Sequence, residues 1–510
     1  MLRITPVIAV VGVGFLLLQL ARAEQVAVTS DLDPVARIER LEKMAVEQGQ
    51  RLETLKAQAE RVTAPSPSEV RVAEVRKIVA ELMQDASFRE SLYPAAVGGG
   101  YDQKRGFYIE SDDQAFALNI KGYVQIRYNG IARQTDNRAR QGYQKRDDVS
   151  AFEVERLFLV FYGHIHSPKV QYRILVDGGT TGIGSSGFTE DMRWFTYQAH
   201  IDYEYMKDQY ITAGMFQPPF SVQFMTGGGV LQMVDRAMAT YAFGFDRAMG
   251  VMAHGNLFER RMTYFAAITN GILNPNDSPS QEQLDTNFAY HARLAYYLLG
   301  QGNSLAEFRS GYPESDLAYH KDPELRVGAS FQFNDNNGDR GTGGPAALFA
   351  PVPDRIRSGR GIGGGELISS LGTQYYAFEV DSGFKYRGFS LNLAYYLRTI
   401  DGESEYSPWE LRTGRSDSVH QQGGYLQAGY FLVPKKFEVF GRLGGIWDNG
   451  DDNAWEYGVG CNYFPFGSYN LRIAADIIRV EEVVAGASSS PNYSLNDELT
   501  MFRVMVQAGF

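Results

Sequence analysis

The stretch TMFRVMVQAGF, residues 500–510, decides the fold. Phe502, Val504, Val506, Ala508 and Phe510 fall on one face at period two, and Arg503, Met505, Gln507 and Gly509 on the other. A segment of about 10 residues with one apolar and one mixed face has two readings. It is a stave of a transmembrane β-barrel, or a half-buried strand of a soluble sandwich. The rest of the chain chooses between them.

Composition and the N-terminus narrow the choice. Mean hydropathy is -0.28, which excludes a bundle of membrane-spanning helices. The one long apolar run, residues 7–20, follows Arg3 and precedes Ala21-Arg22-Ala23, a small-x-small cleavage site. Residues 1–23 therefore read as a secretory signal peptide. Without Arg3 and Arg22 the 49 basic side chains fall to 47 against 60 acidic ones, a net charge of -13, which disfavours nucleic acid as a partner. The single cysteine, Cys461, excludes an internal disulfide. It shares a face with Trp455, Tyr457, Val459 and Tyr463, and reads as a small apolar residue facing lipid.

Residues 33–62 carry heptads. Ile38, Ala45, Leu52 and Ala59 form one seam, and Leu41, Gln48, Leu55 and Val62 the other, which predicts a short coiled coil. Ala64-Pro65-Ser66-Pro67-Ser68 breaks it. A second helix is expected over residues 69–92, with Val72, Val75, Val79 and Leu82 as its apolar stripe, and a linker over 93–106.

From Phe107 onward the period is two. Sixteen strand candidates follow, beginning with Phe116, Leu118, Ile120, Val124, Ile126 and Tyr128 alternating with Asn119, Lys121, Gln125 and Arg127. Short turns recur at every second connection, among them 166–169, 204–207, the tight turn at Arg387, 433–435 and 465–467. Long polar loops lie between them. That alternation, with an even strand number, predicts an all-β transmembrane barrel over 107–510, preceded by the helical segment. One connection departs from the rule: residues 299–322 are long where a short turn is due.

The segments FEVERLFLVFYGHI (152–165), VQYRILVD (170–177), GMFQPPFS (214–221), MVDRA (233–237) and FDRAMGV (245–251) occur in this order. Together with GGYLQAGYFLVPKKFEVFGR (423–442) and EYGVGCNYFPFGSYNLRIAAD (456–476), they resemble the phosphate-selective porin family of O and P type. Gly214, Phe216, Pro219 and Phe220 match the family's Gly-x-Phe-x-x-Pro-Phe segment, which leads into the loop that folds into the pore. Asp235-Arg236 stands where the family has an acidic-Arg pair.

The resemblance implies a sixteen-stranded homotrimeric barrel that passes small solutes. It implies the outer membrane of a Gram-negative-type bacterium, lipid on the outer face and the N-terminal helices in the periplasm. It also implies that the barrel assembly machinery reads the terminal aromatic, Phe510. Phosphate-selective members carry a constriction lysine cluster. Residues 218–247 contain no lysine, so phosphate selectivity does not carry over with the fold.

If the apolar face of each strand meets lipid, the other face is the pore lining. It carries Lys121, Arg127, Arg156, Arg173, Arg293, Arg326, Lys385, Arg398, Arg442, Arg472 and Arg503, against Asp177, Asp202, Glu379, Asp381, Glu438 and Asp476. A basic lining favours anions, whereas compensating pairs would leave the interior near neutral. In the inward loop Arg236 and Arg247 each follow an aspartate, Asp235 and Asp246, and read as structural pairs. Three readings stay open: a modestly anion-selective porin, a non-selective diffusion porin, and an anchor that tethers the outer membrane to the cell wall through the coiled coil. An enzyme is not expected. His164, His166 and Ser167 are close in sequence, but Ser167-Pro168 reads as a turn, and no catalytic constellation, cofactor or metal site is visible.

Overall fold

A computed structural model describes residues 97–103, 105–133, 148–179, 194–244, 247–270, 288–337, 372–402, 418–448, 453–481 and 498–510. The signal peptide (1–23), coiled coil (33–62) and second helix (69–92) lie outside the described residues, as does Asp246. The chain divides into two units, 1–94 and 95–510, and the described residues all belong to the second.

Sixteen antiparallel strands close on themselves. In order they are β3 (Phe116–Arg133), β4 (Val149–Ile165), β5 (Ser167–Asp177), β6 (Phe195–Met206), β7 (Gln209–Phe216), β8 (Ala248–Leu257), β9 (Met262–Thr269) and β10 (Ala289–Leu299). Then come β11 (Glu324–Asn337), β12 (Gly372–Tyr386), β13 (Phe389–Gly402), β14 (Ser418–Val433), β15 (Phe437–Asp448), β16 (Asn453–Tyr463), β17 (Leu471–Glu481) and β18 (Leu499–Gly509). Each pairs with the next, and β18 pairs with β3 from Leu499↔Arg133 to Gly509↔Tyr123. Among the described residues no helix is long and apolar enough to cross a membrane.

Two strands lie outside the ring. β1 (Val97–Asp102) pairs with β2 (Gly106–Ser111), and β2 pairs with β3 over Phe107↔Ile120 to Glu110↔Ala117. The stretch expected as a linker, 93–106, thus holds a strand from Val97. The β3 edge is shared end to end, β2 covering its start and β18 the rest.

The period-two sequence produces the wall directly, since successive side chains point to opposite faces. In β18, Met501, Arg503, Met505 and Gln507 are buried inside while Phe502, Val506 and Phe510 are exposed outside. The turns at one end are short. Tyr386 pairs with Phe389 across Arg387 (φ 49) and Gly388 (φ 85), a two-residue turn with both central residues left-handed, which matches the strand twist. A Cβ at Gly388 would also lie 2.6 Å from the Tyr319 ring.

The core lies inside the barrel. β7 ends at Phe216 and β8 begins at Ala248, both short, and the chain between them turns into the lumen. It carries α1 (Val222–Met225), a 3-10 turn (Gly228–Val230) and α2 (Met238–Phe243). Met238, Ala239, Ala242 and Phe243 of α2 pack on Tyr375, Tyr396, Tyr425, Ile446, Ile478 and Met501 of the β12–β18 wall. Phe243 stacks on Tyr396 at 5.3 Å between centroids.

The anomalous long connection is also an inward segment. Residues 300–323 enter from the short-turn end with α3 (Ser304–Ser310), capped by Asn303 Oδ1, which accepts from Ala306 N–H at 3.1 Å, and ended by Gly311 at φ 74.

Candidate pore constriction

The wall holds the inward loop by ion pairs. Arg127 (β3) meets Glu153 and Glu155 at 2.5 Å each and Asp235 of the loop at 3.3 Å. Asp235 also lies 3.6 Å from Arg156 and 3.8 Å from Arg503, and accepts from the Tyr241 hydroxyl at 2.7 Å. Burial alone would raise the Asp235 carboxyl, but Arg127, Arg156 and Arg503 outweigh it and hold it well below the usual carboxylate range. Burial and Asp235 push the Tyr241 phenol up.

Further anchors run around the ring. Glu379 accepts from Val222 N–H at 2.9 Å and pairs with Arg293 at 3.1 Å, and Asp381 pairs with Arg293 and Arg326 at 2.7 Å each. Arg442 pairs with Glu456 at 2.5 Å and donates to the loop carbonyls of Asp235 and Arg236. Glu456 in turn accepts from Met238 N–H at 2.5 Å. Arg398 donates to Ala242 O at 2.5 Å, and Arg472 donates to Leu231 O. Buried arginines serving loop carbonyls and carboxylates at once are costly to strip of a partner.

The eleven basic residues expected in the lining, Lys385 among them, all project inward. They do different things. Arg127, Arg293, Arg326, Arg442 and Arg503 are neutralised by carboxylates. Lys121 and Arg173 keep partial exposure and form no ion pair among the described residues; Lys121 lies over the Tyr162 ring and Arg173 donates to Arg309 O. Arg236 donates to Gln223 O and Thr226 O within the loop, and Arg247 sits 3.3 Å over the Tyr197 ring. Both loop arginines are thus held by protein groups.

The sequence count of acids needs correction. Glu153, Glu155 and Glu456 also face inward and are buried, and Glu324 faces inward 3.9 Å from Lys385, so among the described strand residues the inward acids nearly match the eleven basic groups. Strict alternation could not place Glu153 and Glu155 on the same face as Arg156. A bulge does: β4 slips register between Val154 and Arg156, opposite Ile126 and Gln125, and turns Glu153, Glu155 and Arg156 inward together.

The lumen is asymmetric. On β11–β18 the inward groups are almost all covered by the two inward segments, whereas on β3–β6 Lys121, Tyr123, Tyr162, Arg173 and Gln198 keep solvent access. Arg309 joins them from α3, paired to the buried Asp202 at 2.7 Å. Sequence reasoning missed Arg309, although the Asn303 and Gly311 caps mark its helix. Among the described residues no cluster of His, Cys, Asp or Glu could hold a metal ion.

Residues 126–312 match the model of the family Phosphate-selective porin O and P. No curated protein matches the chain. Among solved structures it is similar to the anion-selective porin from Comamonas acidovorans at 10% identity and TM-score 0.46, covering 77% of this chain and 99% of that one. It is also similar to the outer membrane channel DcaP of Acinetobacter baumannii, at 10% identity and TM-score 0.45, covering 81% and 100%. OmpT of Vibrio cholerae matches at 9% identity and TM-score 0.43, covering 78% and 98%.

Proposed function

We propose that this chain, which matches the phosphate-selective porin O and P family over residues 126–312, is an outer-membrane porin that passes small solutes with a modest preference for anions, set along the β3–β6 wall. The observation that carries the preference is the partial exposure of Lys121 and Arg173, beside Arg309, with no ion-pair partner for either among the described residues, while Glu153, Glu155, Asp177 and Asp202 of the same wall are buried. Along the strand wall a mobile ion meets these cations rather than the buried acids, and among the described residues only Asp102 of β1, exposed near Lys121, offsets them, so the local field favours anions. The preference is modest because the other inward charges are largely paired and salt screens over about 8 Å at physiological ionic strength.

The protein is also proposed to work as a homotrimer held by the heptads of 33–62, with its N-terminal helices in the periplasm and Phe510 presented to the barrel assembly machinery. What supports the side is that Phe510 and the start of β1 lie at the short-turn end of the barrel. The fold and family point to a channel rather than an enzyme.

The test is the zero-current potential across a planar bilayer in a salt gradient, first with chloride and then with phosphate. An anion-side potential that changes little with phosphate is expected. A cation-side potential overturns the reading, and a sharp rise with phosphate replaces it with phosphate selectivity.

A further inference from the structure

The inward loop is held from a second direction. Residues 300–323 reach it from the short-turn end, where the other described turns are short. The segment is first fixed to the wall. Glu307 accepts from Tyr297 Oη at 2.6 Å and Thr263 Oγ1 at 3.1 Å, Arg309 pairs with Asp202, and Phe308 packs among Phe216, His200 and His254. It then meets the loop: Gly227 N–H donates to Ser310 O at 3.1 Å, Thr226 Oγ1 to Tyr312 O at 3.2 Å, and Glu314 N–H to Val230 O at 3.3 Å.

Glu314 is the centre of this contact. Its side chain is buried and accepts from Gln223 Nε2 at 2.6 Å, Gln232 N–H at 2.7 Å and Gln427 Nε2 at 3.0 Å. Two of these donors belong to the inward loop and one to β14. No cation stands within ion-pair distance of Glu314 among the described residues, so its partners are neutral N–H donors, and such charge-assisted bonds are strong. Next to it, Ser315 Oγ donates to Glu438 at 2.9 Å, and Gln232 Nε2 donates to the same carboxylate at 2.5 Å.

We propose that residues 300–323 are a strut that fixes the conducting width of this channel, with Glu314 as the positioning residue that holds the inward loop against β14. Loss of the carboxylate removes the bonds that Gln223, Gln232 and Gln427 make to it and so loosens the tie between the strut and the middle of the loop, 223–232, while the wall bonds to Gly228, Gly229, Leu231 and Gln232 and the Asp235 and Glu379 anchors remain. The proposal rests on the porin reading but not on the sign of its selectivity, so its readout is conductance at symmetric salt. Failure to form any channel would count against the porin reading; an unchanged channel counts against the strut alone.

The experiment is single-channel recording of the full-length protein carrying Glu314→Ala or Glu314→Gln. Only folded barrels conduct, so lower yield does not alter the readout. Mean conductance is expected to rise about two-fold with added current noise in the alanine variant, and less in the glutamine variant, which keeps one acceptor oxygen. A third protein adds Gly227→Cys and Ser310→Cys to Glu314→Ala, with Cys461→Ser; a Cβ at Gly227 falls 3.5 Å from Ser310 O, in ordinary contact. Oxidation should restore the wild-type trace and reduction abolish it. Wild-type conductance and noise in both single variants, or noise that persists with the cross-link closed, overturns the proposal.

Discussion

Arg127 on β3 and Asp235 on the inward loop lie 3.3 Å apart, with side chains 0% and 3% exposed, in the barrel's interior. The contact joins the wall to the inward loop through a charge pair neither member can leave cheaply. Because Arg127 also holds Glu153 and Glu155, the aspartate is shared with Arg156 and Arg503 rather than owned by one partner.

Asp235→Asn should therefore do two things. It removes one negative charge beside three arginines, so the zero-current potential should move toward the anion side. It also weakens the loop's hold by about 1–3 kcal/mol, read as a lower temperature for loss of the folded band on gels. A potential that moves toward the cation side contradicts the assignment.

The same carboxylate sets an acid limit. Its folded pKa is depressed, so the stability it contributes is present above the ordinary aspartate value, near 4, and is lost as pH falls through the lower folded value. The Asp235 link should hold constant from pH 8 to 5 and give way only in strong acid. Single-channel noise against pH checks this: wild-type noise should rise only in acid well below the ordinary aspartate range, and Asp235→Asn should lack that acid-dependent component.

Lys121 and Arg173 are expected to carry the sign of selectivity. Lys121→Gln with Arg173→Gln should bring the potential close to zero, and the corresponding double glutamate variant should reverse it. The same changes at Arg293 and Arg326, already neutralised by Asp381, should affect assembly more than selectivity.

Phe510 lies at the end of the lipid-facing row, its ring 5.6 Å from that of Phe107 and its N–H on Gly122 O at 3.0 Å. Phe510→Asp should impair membrane assembly strongly and Phe510→Ala less so, measured as folded protein in the outer-membrane fraction. Normal levels of folded protein from the aspartate variant would exclude a role for this end in assembly.

Deleting residues 33–92 removes no described strand, so the barrel should still fold. Cross-linking in mild detergent should give trimers from the full chain and fewer from the deletion. A full chain that stays monomeric at every concentration would refute the assembly.

The legibility of each element in the sequence has a physical cause. β18 could be read because period two survives in every residue from Phe502 to Phe510. The strand candidates correspond to β3–β18 for the same reason, with ends displaced by a few residues. Glu155 and Arg156 could not be placed on one face because a bulge leaves no mark in the alternation. The direction of residues 300–323 was hidden for another reason: the Asn303 and Gly311 caps announce a helix, but only Glu314 meeting Gln223 and Gln427 says where it goes. The inward course of the loop came from the resemblance at Gly214–Phe220, not from periodicity.

The shared edge of β3 has a consequence for the order of events during biogenesis. Gln125 and Gln507 bond at 2.7 Å across 382 residues, so the ring's closing seam joins its first strand to its last. Such a contact carries the full entropy of closing the chain and forms slowly. Until β18 is made and docks, β3 offers the rest of that edge to nothing, while β2, only a few residues upstream, can already occupy its first rungs at Ala117–Ile120. The hairpin thus shortens the vacant edge that a nascent chain must keep from pairing wrongly, and leaves the terminal strand one defined place to dock.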